Sequence, residues 1–207
     1  ISAIGSGGFG TVFKVEHRLN KRIYAVKRVR YEDEKNKSFA LREVKTLSKL
    51  CSIFVVKYYH SWHECNHIYI QMEFCSQTFG TILKDKNQVF GRQSSEPMNR
   101  YEYYICCEIL RVLLECLQYL HELTPPVIHR DLKPNNILIP SNNSFIKLGD
   151  FGLATDQERN DMSHTPGVGT PGYVAPEGFH GKYTIISDIY SLAMIALQLF
   201  DLYDMYV

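Results

Sequence analysis

Alternating apolar and polar residues in the first quarter of the chain predict a small sheet that carries one helix. Thr11 to Glu16 alternates, a polar turn follows, and Ile23 to Val29 is rich in β-branched residues, so the two runs predict a hairpin. Ser38 to Leu50 has apolar residues at helical spacing, which predicts a helix with Leu41, Val44 and Leu47 on its buried stripe. Val55 to Tyr59 and His67 to Phe74 predict two further strands.

The rest of the chain has a mainly helical pattern. Asp85 to Asn99 is polar and contains turn-forming residues, which predicts a loop. Tyr101 to His121 predicts a long amphipathic helix whose apolar residues are Ile105, Ile109, Val112, Leu113, Cys116, Leu117 and Leu120. Short apolar runs at Ile137 to Ile139 and Phe145 to Leu148 predict strands, and a long irregular stretch separates them from an apolar helix that starts at Ile186.

Composition narrows the class of protein without identifying it. The chain has 207 residues, a formal charge of +1 and 45% hydrophobic residues, which excludes a disordered tail and a basic nucleic-acid arm. Near-neutral charge gives no general attraction to nucleic acid or to an anionic membrane, so any phosphate binding depends on local groups. The apolar run Ile189 to Phe200 is too short to span a bilayer.

The six cysteines form no Cys-x-x-Cys pair, and we expect them to be reduced thiols in the cytosol. His60, His63, Cys65 and His67 lie close together and could form a metal cluster, but we interpret them as exposed residues of a turn between strands. The chain starts at Ile1 and is expected to end inside an apolar helix, so we expect it to be part of a longer protein.

Glycines near the start of the chain form a first candidate phosphate site. The segment reads Gly5-Ser6-Gly7-Gly8-Phe9-Gly10-Thr11-Val12. Glycines let backbone N–H groups approach a phosphate closely, although the same pattern is typical of a flexible turn. A dinucleotide site needs a helix after the last glycine, whereas here a strand follows, so that alternative fails.

A lysine on the next predicted strand and a glutamate on the following helix form a second candidate pair. Lys27 ends the run Tyr24-Ala25-Val26-Lys27, and Glu43 lies on the helix. A glutamate at this place would hold the lysine as a fixed charge against phosphate oxygens, so we expect Lys27 to act on phosphate geometry and not on the core. The alternative is a weak surface salt bridge.

Carboxylates and an amide in the second half of the chain supply the remaining chemistry. His129-Arg130-Asp131-Leu132-Lys133-Pro134-Asn135-Asn136 places Asp131 five residues before Asn136. The Asp131 carboxylate can accept a hydroxyl proton, and the Asn136 amide oxygen can bind a hard cation. Asp150, in Asp150-Phe151-Gly152, is a second oxygen ligand for Mg²⁺, and Ala175-Pro176-Glu177 closes the long loop that follows.

These five motifs, in this order, resemble the signature set of the eukaryotic protein kinases over the whole chain. The resemblance implies an α+β, two-lobed protein kinase fold. Residues 1–75 are expected to form the β-rich N-lobe with one helix, and residues 76–207 a mainly helical C-lobe that is incomplete at its end. Lys133 after Asp131, and Thr170 before Pro171-Gly172-Tyr173, resemble the serine/threonine kinases.

The resemblance also implies ATP and Mg²⁺ as cofactors and assigns roles to single residues. Asp131, Lys133 and Asn136 are the expected catalytic residues, and Asn136 with Asp150 the expected metal ligands. Thr165 is the expected activating phosphosite, Arg130 its partner, and Thr170 a structural residue near Asp131. The expected nucleotide-binding residues are Ile4, Gly5, Ser6, Gly7, Gly8, Phe9, Gly10, Thr11, Val12, Ala25, Lys27, Glu43, Met72, Glu73, Cys75, Leu138 and Asp150.

Shorter motifs resemble the stress-response kinases that phosphorylate the alpha subunit of translation initiation factor two. They are Arg42-Glu43-Val44-Lys45, Ser61-Trp62, Ile70 to Cys75, Leu148 to Leu153 and His164 to Thr170. This resemblance implies a cytoplasmic kinase domain that phosphorylates that subunit and so down-regulates translation under stress. It also implies that the kinase can form a homodimer. We expect this segment to contact neither nucleic acid nor membrane. A serine/threonine kinase of a cell-cycle branch and a pseudokinase scaffold are the alternatives.

Overall fold

The computed structural model describes residues 1–7, 10–141, 146–156 and 167–202, without the side chains of residues 35, 36 and 39. The secondary structure elements, numbered in chain order, are β1 (Ser2–Gly7), β2 (Gly10–Glu16), β3 (Ile23–Arg30), α1 (Glu34–Lys49), β4 (Tyr58–Glu64), β5 (His67–Glu73), β6 (Cys75–Thr78), α2 (Phe79–Val89), α3 (Arg100–His121), β7 (Val127–Ile128), β8 (Ile137–Pro140), β9 (Lys147–Leu148), β10 (Thr155–Asp156) and α4 (Ile185–Leu199). Short 3₁₀ helices span Pro134–Asn136, Phe151–Leu153 and Pro176–His180.

The chain folds into two compact units. Ile1–Ser76 and Ile139–Gly152 form the first unit, while Gln77–Leu138 and Leu153–Val207 form the second. The expected division at residue 75 lies one residue from the first boundary, whereas residues 139–152, expected with the second half of the chain, belong to the first unit. Backbone hydrogen bonds explain the difference, since Leu148 N donates to Phe54 O at 2.8 Å and Val56 N donates to Leu148 O at 2.9 Å.

The first unit is built on a five-stranded antiparallel sheet in the order β1-β2-β3-β5-β4. Side chains of β5 alternate between buried and half-buried positions, and Ile68, Ile70 and Met72 face the core. The hairpin of β2 and β3 pairs Thr11 with Arg28 through to Glu16 with Ile23, which confirms the predicted hairpin. This sheet is the scaffold that carries the glycine-rich segment and Lys27.

Two elements of the first unit differ from the sequence prediction. Helix α1 starts at Glu34, and its buried residues include Ala40 and Leu47, whereas Leu41 is exposed. Strand β4 spans Tyr58–Glu64 and not Val55 to Tyr59, since Val55 instead forms an isolated bridge to Leu148. The apolar residues Val55 and Val56 are therefore buried outside the main sheet.

The second unit is mainly helical, and side-chain caps define where its helices begin. Thr78 caps α2, Asn99 caps α3 through the N–H groups of Tyr101 and Glu102, and Thr184 caps α4 in a capping box with Ser187. The long helix α3 begins at Arg100 and ends at His121, one residue longer than predicted. Within this unit, β7 pairs with β10 in a two-stranded sheet.

Helix α2 and the start of α3 correct two further predictions. The predicted loop from Asp85 to Asn99 begins too early, because α2 continues to Val89. At the start of α3, Ile105 is exposed and Cys106 is buried in its place, so the buried stripe is rotated by one residue from the predicted one there. In the described part of the chain, no helix has the length and apolar character needed to cross a membrane.

Candidate active site

Strands β1 and β2 carry the glycine-rich segment, with Gly7 opposite Gly10 in the register. Gly10 has a φ of +116°, and a Cβ added there would lie 2.3 Å from the Arg28 carbonyl oxygen, so a glycine is required. Gly5 and Gly7 have no atom within 4 Å of an added Cβ, which leaves open space beside their backbone. Gly8 and Phe9 lie outside the described residues.

Lys27 lies at the centre of a cluster of charges in the first unit. Its Nζ donates to both carboxylate oxygens of Glu43, at 2.7 and 2.8 Å, and to Asp150 Oδ1 at 2.7 Å. Lys27 is 4% exposed, and this burial opposes its charge, but the ion pairs with Glu43 and Asp150 outweigh burial and raise its pKa. The structure therefore confirms the Lys27–Glu43 pair and excludes a solvated surface salt bridge.

Asp150 reaches this cluster from a strained backbone. It follows β9, has a φ of 57°, and precedes the buried Phe151. A Cβ added at Gly152 would lie 3.3 Å from Glu43 Oε2, 3.4 Å from Asp150 Oδ1 and 3.5 Å from Lys27 Nζ, so a glycine here lets the chain pass close to all three charged groups. The sequence motifs predicted the Lys27–Glu43 contact, but the direct Lys27–Asp150 contact was not expected.

The residues expected around adenine occupy the sheet and its end. Ala25 is buried and pairs with Met72 across β3 and β5. The Glu73 carboxylate pairs with Lys147 Nζ at 3.1 Å. The backbone N–H of Glu73 donates to Lys57 O at 2.8 Å. Burial, with a smaller contribution from the Glu73 carboxylate, raises the pKa of the Cys75 thiol to about 12, so this thiol is neutral at physiological pH.

The remaining expected nucleotide residues are more open to solvent. Ile4 is an exposed residue of β1, Thr11 and Val12 of β2 are half-buried, and Leu138 on β8 is half-buried. Ser6 pairs with Thr11 in the β1–β2 register.

In the second unit, Asp131 is buried and held by three neighbouring side chains. Thr170 Oγ1 donates to Asp131 Oδ1 at 2.6 Å, and Asn136 Nδ2 donates to Asp131 Oδ2 at 3.0 Å. Lys133 Nζ lies 3.0 Å from Asp131 Oδ2 and donates to Thr170 Oγ1 at 2.7 Å. The expected proximity of Thr170 to Asp131 and Lys133 is thus confirmed, and the hydroxyl joins the two charged groups.

Asp188 on α4 fixes the backbone of the loop that carries Asp131. Its carboxylate accepts hydrogen bonds from the N–H groups of His129 at 2.9 Å and Arg130 at 3.0 Å, and it lies 2.9 Å from His121 Nε2. Arg130 has a φ of 65°, a conformation that costs a non-glycine residue about 1–3 kcal/mol. The two hydrogen bonds to a fully buried carboxylate hold this strained residue in place.

Arg130, the expected partner of a phosphorylated Thr165, has contacts on both sides of its side chain. Its Nε donates to Leu153 O at 2.5 Å, and its guanidinium lies 5.4 Å from the centre of the Tyr183 ring. Thr165 itself lies outside the described residues. Glu177 accepts a hydrogen bond from Ser187 Oγ at 3.2 Å, a contact that the motif alone did not indicate.

Carboxylate and amide oxygens are the ligands that Mg²⁺ prefers. Asp150 supplies a carboxylate in the first unit, and Asn136 an amide in the second. Because Asn136 Nδ2 is used in hydrogen bonds to the Asp131 backbone and carboxylate, its oxygen is the atom suited to a cation. The donor chemistry of both residues therefore fits Mg²⁺.

The histidines near the β4–β5 turn contact other groups one by one. No group of three or more potential metal ligands occurs within the residues that the structure describes. His60 stacks on Trp62, His63 contacts the Tyr31 hydroxyl, and His67 Nδ1 lies 2.7 Å from Cys65 O. His60 and His63 lie on β4 itself, which corrects their predicted place in a turn.

Comparison with known proteins shows the family to which the chain belongs. The family model described as the protein kinase domain matches residues 1–206, and the chain therefore belongs to the protein kinase family. Members of this family use ATP with Mg²⁺. The fold is accordingly the α+β protein kinase fold, with a β-sheet unit and a mainly helical unit.

Individual relatives are protein kinases of several kinds. The mouse interferon-induced, double-stranded RNA-activated protein kinase is 33% identical over 96% of this chain and 39% of its own length. The probable serine/threonine-protein kinase nek2 of Dictyostelium discoideum is 35% identical over 96% of this chain and 47% of its own length. The probable serine/threonine-protein kinase zyg-1 of Caenorhabditis elegans is 33% identical over 94% and 26%. The chain spans less than half the length of these relatives.

Proposed function

We propose that the chain is an active kinase that transfers the γ-phosphoryl group of ATP to a serine or threonine hydroxyl of a protein. The observation that carries this proposal is the buried Asp131 carboxylate, which Thr170, Lys133 and Asn136 hold in one orientation. A carboxylate fixed in this way positions a substrate hydroxyl and accepts its proton. Positioning and charge neutralisation are the main requirements of phosphoryl transfer.

The Lys27 cluster supplies the nucleotide-binding half of this proposal. Lys27, oriented by Glu43, contacts the α- and β-phosphates, and its raised pKa keeps it cationic at physiological pH. Asp150 and Asn136 would each supply an oxygen ligand to Mg²⁺, which would neutralise charge on the phosphates. Lys133 lies next to Asp131 and contacts the γ-phosphate side of the nucleotide.

The remaining nucleotide contacts follow the family resemblance. Gly5 to Gly10 cover the phosphates, and Val12, Ala25 and Leu138 form the apolar walls around adenine. Met72 precedes the segment Glu73 to Cys75, whose backbone bonds the base. The intact set of Lys27, Asp131 and Asp150 supports an active enzyme over a pseudokinase scaffold.

Transfer of label from γ-labelled ATP to protein tests the proposal. The purified protein is expected to transfer label to a generic serine/threonine substrate when Mg²⁺ is present. This transfer is expected to stop when EDTA removes the metal. Phosphoamino-acid analysis is expected to find phosphoserine or phosphothreonine. ATP binding with no transfer to any substrate would favour the scaffold alternative.

For the physiological substrate, we infer the alpha subunit of translation initiation factor two, so that the kinase acts in the cytosol and lowers translation under stress. The short motifs from Arg42 to Lys45, Ile70 to Cys75 and Leu148 to Leu153 support this inference through their resemblance to that group of kinases. A homodimer is part of the same inference. The second candidate is a serine/threonine kinase of another branch, such as a cell-cycle type, and the 35% identity to a probable serine/threonine-protein kinase, nek2, supports a kinase outside the initiation-factor group.

A direct comparison of substrates separates these two candidates. Recombinant initiation factor alpha subunit is expected to be phosphorylated at a single serine or threonine with higher kcat/KM than casein or histone. Equal rates on all three proteins would overturn the substrate inference and leave the kinase activity itself intact.

A further inference from the structure

A cleft of about 380 Å³ lies beside the Asp131 cluster, wholly within the second unit. Helix α2 lines one side of it with Gly80, Leu83 and Lys84, which share a helix face because they are spaced by three and four residues. The Asp131 loop lines the other side with Lys133 and its neighbours, and Thr170 links the cleft to Asp131. The cleft therefore opens next to the position of the reacting hydroxyl.

Close contacts fix the shape of this cleft. A Cβ added at Gly80 would lie 2.1 Å from Asn135 Oδ1, so α2 approaches the Asp131 loop closely enough that a larger residue here requires the Asn135 side chain to move. Tyr173 and Gln198 also line the cleft and bond each other twice, with the Tyr173 hydroxyl donating to Gln198 Oε1 at 3.0 Å and Gln198 Nε2 donating to the hydroxyl at 2.8 Å. These contacts make the cleft a built groove.

The charged residues that line the cleft are both lysines, and no described lining residue is acidic. Lys133 is already engaged, since its Nζ contacts the Asp131 carboxylate and the Thr170 hydroxyl. Lys84 is exposed and forms no salt bridge with any described residue. Asp85, its neighbour in sequence, does not line the cleft. Lys84 is thus the cation that a ligand in the cleft meets.

We propose that the cleft binds the substrate segment that flanks the phosphorylated hydroxyl, and that Lys84 selects an aspartate or glutamate in that segment. The inference rests on the proposed kinase function and adds the substrate class. A carboxylate in the cleft pairs with Lys84, whereas an arginine or lysine meets a like charge with no acidic lining residue to compensate it. Lys84 is a specificity-determining residue and takes no part in the chemistry at Asp131.

A positional scanning peptide library measures this selection. Each position around a central serine is varied among Glu, Ala and Arg, and kcat/KM is compared for the wild type, Lys84→Ala, Lys84→Glu and Lys182→Glu. Lys182→Glu is the matched control, because Lys182 is exposed and lies outside the cleft. The wild type and the control are expected to prefer Glu over Arg at one position by about fivefold, and Lys84→Ala to lose that preference.

Charge reversal in Lys84→Glu is expected to invert the preference, a total change of roughly 25-fold in the Glu-to-Arg ratio of kcat/KM. The rate on the all-Ala peptide stays within about twofold of wild type, because Lys84 does not contact Asp131. A wild-type preference for Arg, or a preference for Glu that survives in Lys84→Glu, would overturn the inference while leaving the kinase function in place. If the wild type phosphorylates no peptide and no protein, the proposed function fails and this inference fails with it.

Discussion

Thr170 shows how a single hydroxyl organises the candidate site. It donates to Asp131 Oδ1 and accepts from Lys133 Nζ, so it joins two groups that we assign to phosphoryl transfer. Hydrogen bonds to charged groups contribute about 1.5–3 kcal/mol. Thr170→Val keeps the shape of the side chain and removes both bonds, and we expect it to lower kcat by roughly 10–100-fold.

Thr170→Ser is the matched control because it keeps the hydroxyl, and its kcat is expected to stay within about threefold of wild type. Steady-state kinetics on one peptide substrate measures both variants. A kcat near the wild-type value in the valine variant, or a loss in the serine variant as large as in the valine variant, would contradict this role of the hydroxyl.

The Lys27 side chain is more deeply buried than its motif indicated. The sequence analysis expects this residue to act on phosphates without supporting the core, yet it is 4% exposed and pairs with Glu43, which is 2% exposed. Removal of one member of a buried ion pair costs about 3–5 kcal/mol. We therefore expect Lys27→Met to lower the free energy of unfolding by about that amount, in addition to abolishing activity.

Urea denaturation of the Lys27→Met/Glu43→Gln double variant checks the cause of this loss. The double variant removes the uncompensated carboxylate, so we expect it to be more stable than Lys27→Met alone. If the stability lost in the double variant equals the sum of the losses in Lys27→Met and Glu43→Gln, the two residues are not directly coupled, which would contradict this explanation.

Sequence reasoning succeeds at the residue scale where a motif fixes chemistry and spacing, as it does for Asp131 with Asn136 and for Lys27 with Glu43. It missed the Lys27–Asp150 contact and the burial of Lys27, because both depend on how segments 123 residues apart pack together. It also missed Lys84, since a lysine on a polar stretch is typical of a solvated surface.

At the scale of elements, helix α4 has one buried and one exposed apolar face. Ile195 is fully buried, whereas Ile186 is 61% exposed. We expect Ile195→Ala to lower the free energy of unfolding by about 2–5 kcal/mol, because it leaves a cavity in the second unit. Ile186→Ala, which makes the same chemical change at an exposed position, is expected to stay within about 0.5 kcal/mol of wild type. Similar losses in both variants by urea denaturation would contradict this assignment of faces.

The segment between Asp150 and Glu177 carries the proposed activating phosphosite, Thr165. A phosphate there adds about −1.5 to −2 charges, which an arginine such as Arg130 can bind. We expect mass spectrometry of active enzyme to find phosphate on Thr165 and Thr165→Ala to lower kcat at least tenfold. Ser163→Ala is the control on the same segment. Full activity of Thr165→Ala would rule the site out.

The elements that the sequence analysis predicted at the wrong positions differ from the structure for one physical reason. Helix α2 is polar enough to be predicted partly as a loop, although Thr78 caps its start and Phe79 is fully buried. The run Val55 to Tyr59 has strand character, but Val55 and Val56 contact Leu148 instead of the main sheet. The strand that pairs with the main sheet, β4, begins only at Tyr58. Tertiary packing outweighs local propensity in both cases.

At the scale of the whole molecule, buried charges connect distant parts of the second unit. Arg92 donates to both oxygens of the fully buried Glu102, at 2.6 and 2.5 Å, and also contacts Asp201. Lys86 Nζ donates to Leu199 O at 2.7 Å and to Asp201 Oδ1 at 2.8 Å. These contacts join the ends of α2 and α4 to the start of α3, and a sequence pattern would assign such residues to the solvent-exposed surface.

The central claim is that the chain transfers a phosphoryl group, with Lys27, Glu43 and Asp150 serving the nucleotide and Asp131 serving the hydroxyl. Because the nucleotide cluster and Asp131 belong to different units, a change at Asp131 is expected to affect catalysis without affecting nucleotide affinity. Asp131→Asn keeps the size of the side chain and removes its ability to accept a proton. Glu16→Gln, an equivalent neutralisation at an exposed position, is its control.

The rate of γ-phosphoryl transfer by Asp131→Asn, measured beside its Kd for ATP·Mg²⁺, tests this claim most directly. The account predicts a loss of about 10²–10⁴-fold in kcat with the Kd within about twofold of wild type, while Glu16→Gln keeps both values. A folded Asp131→Asn variant that transfers phosphate at nearly the wild-type rate, or that loses nucleotide affinity and keeps its rate, would contradict it.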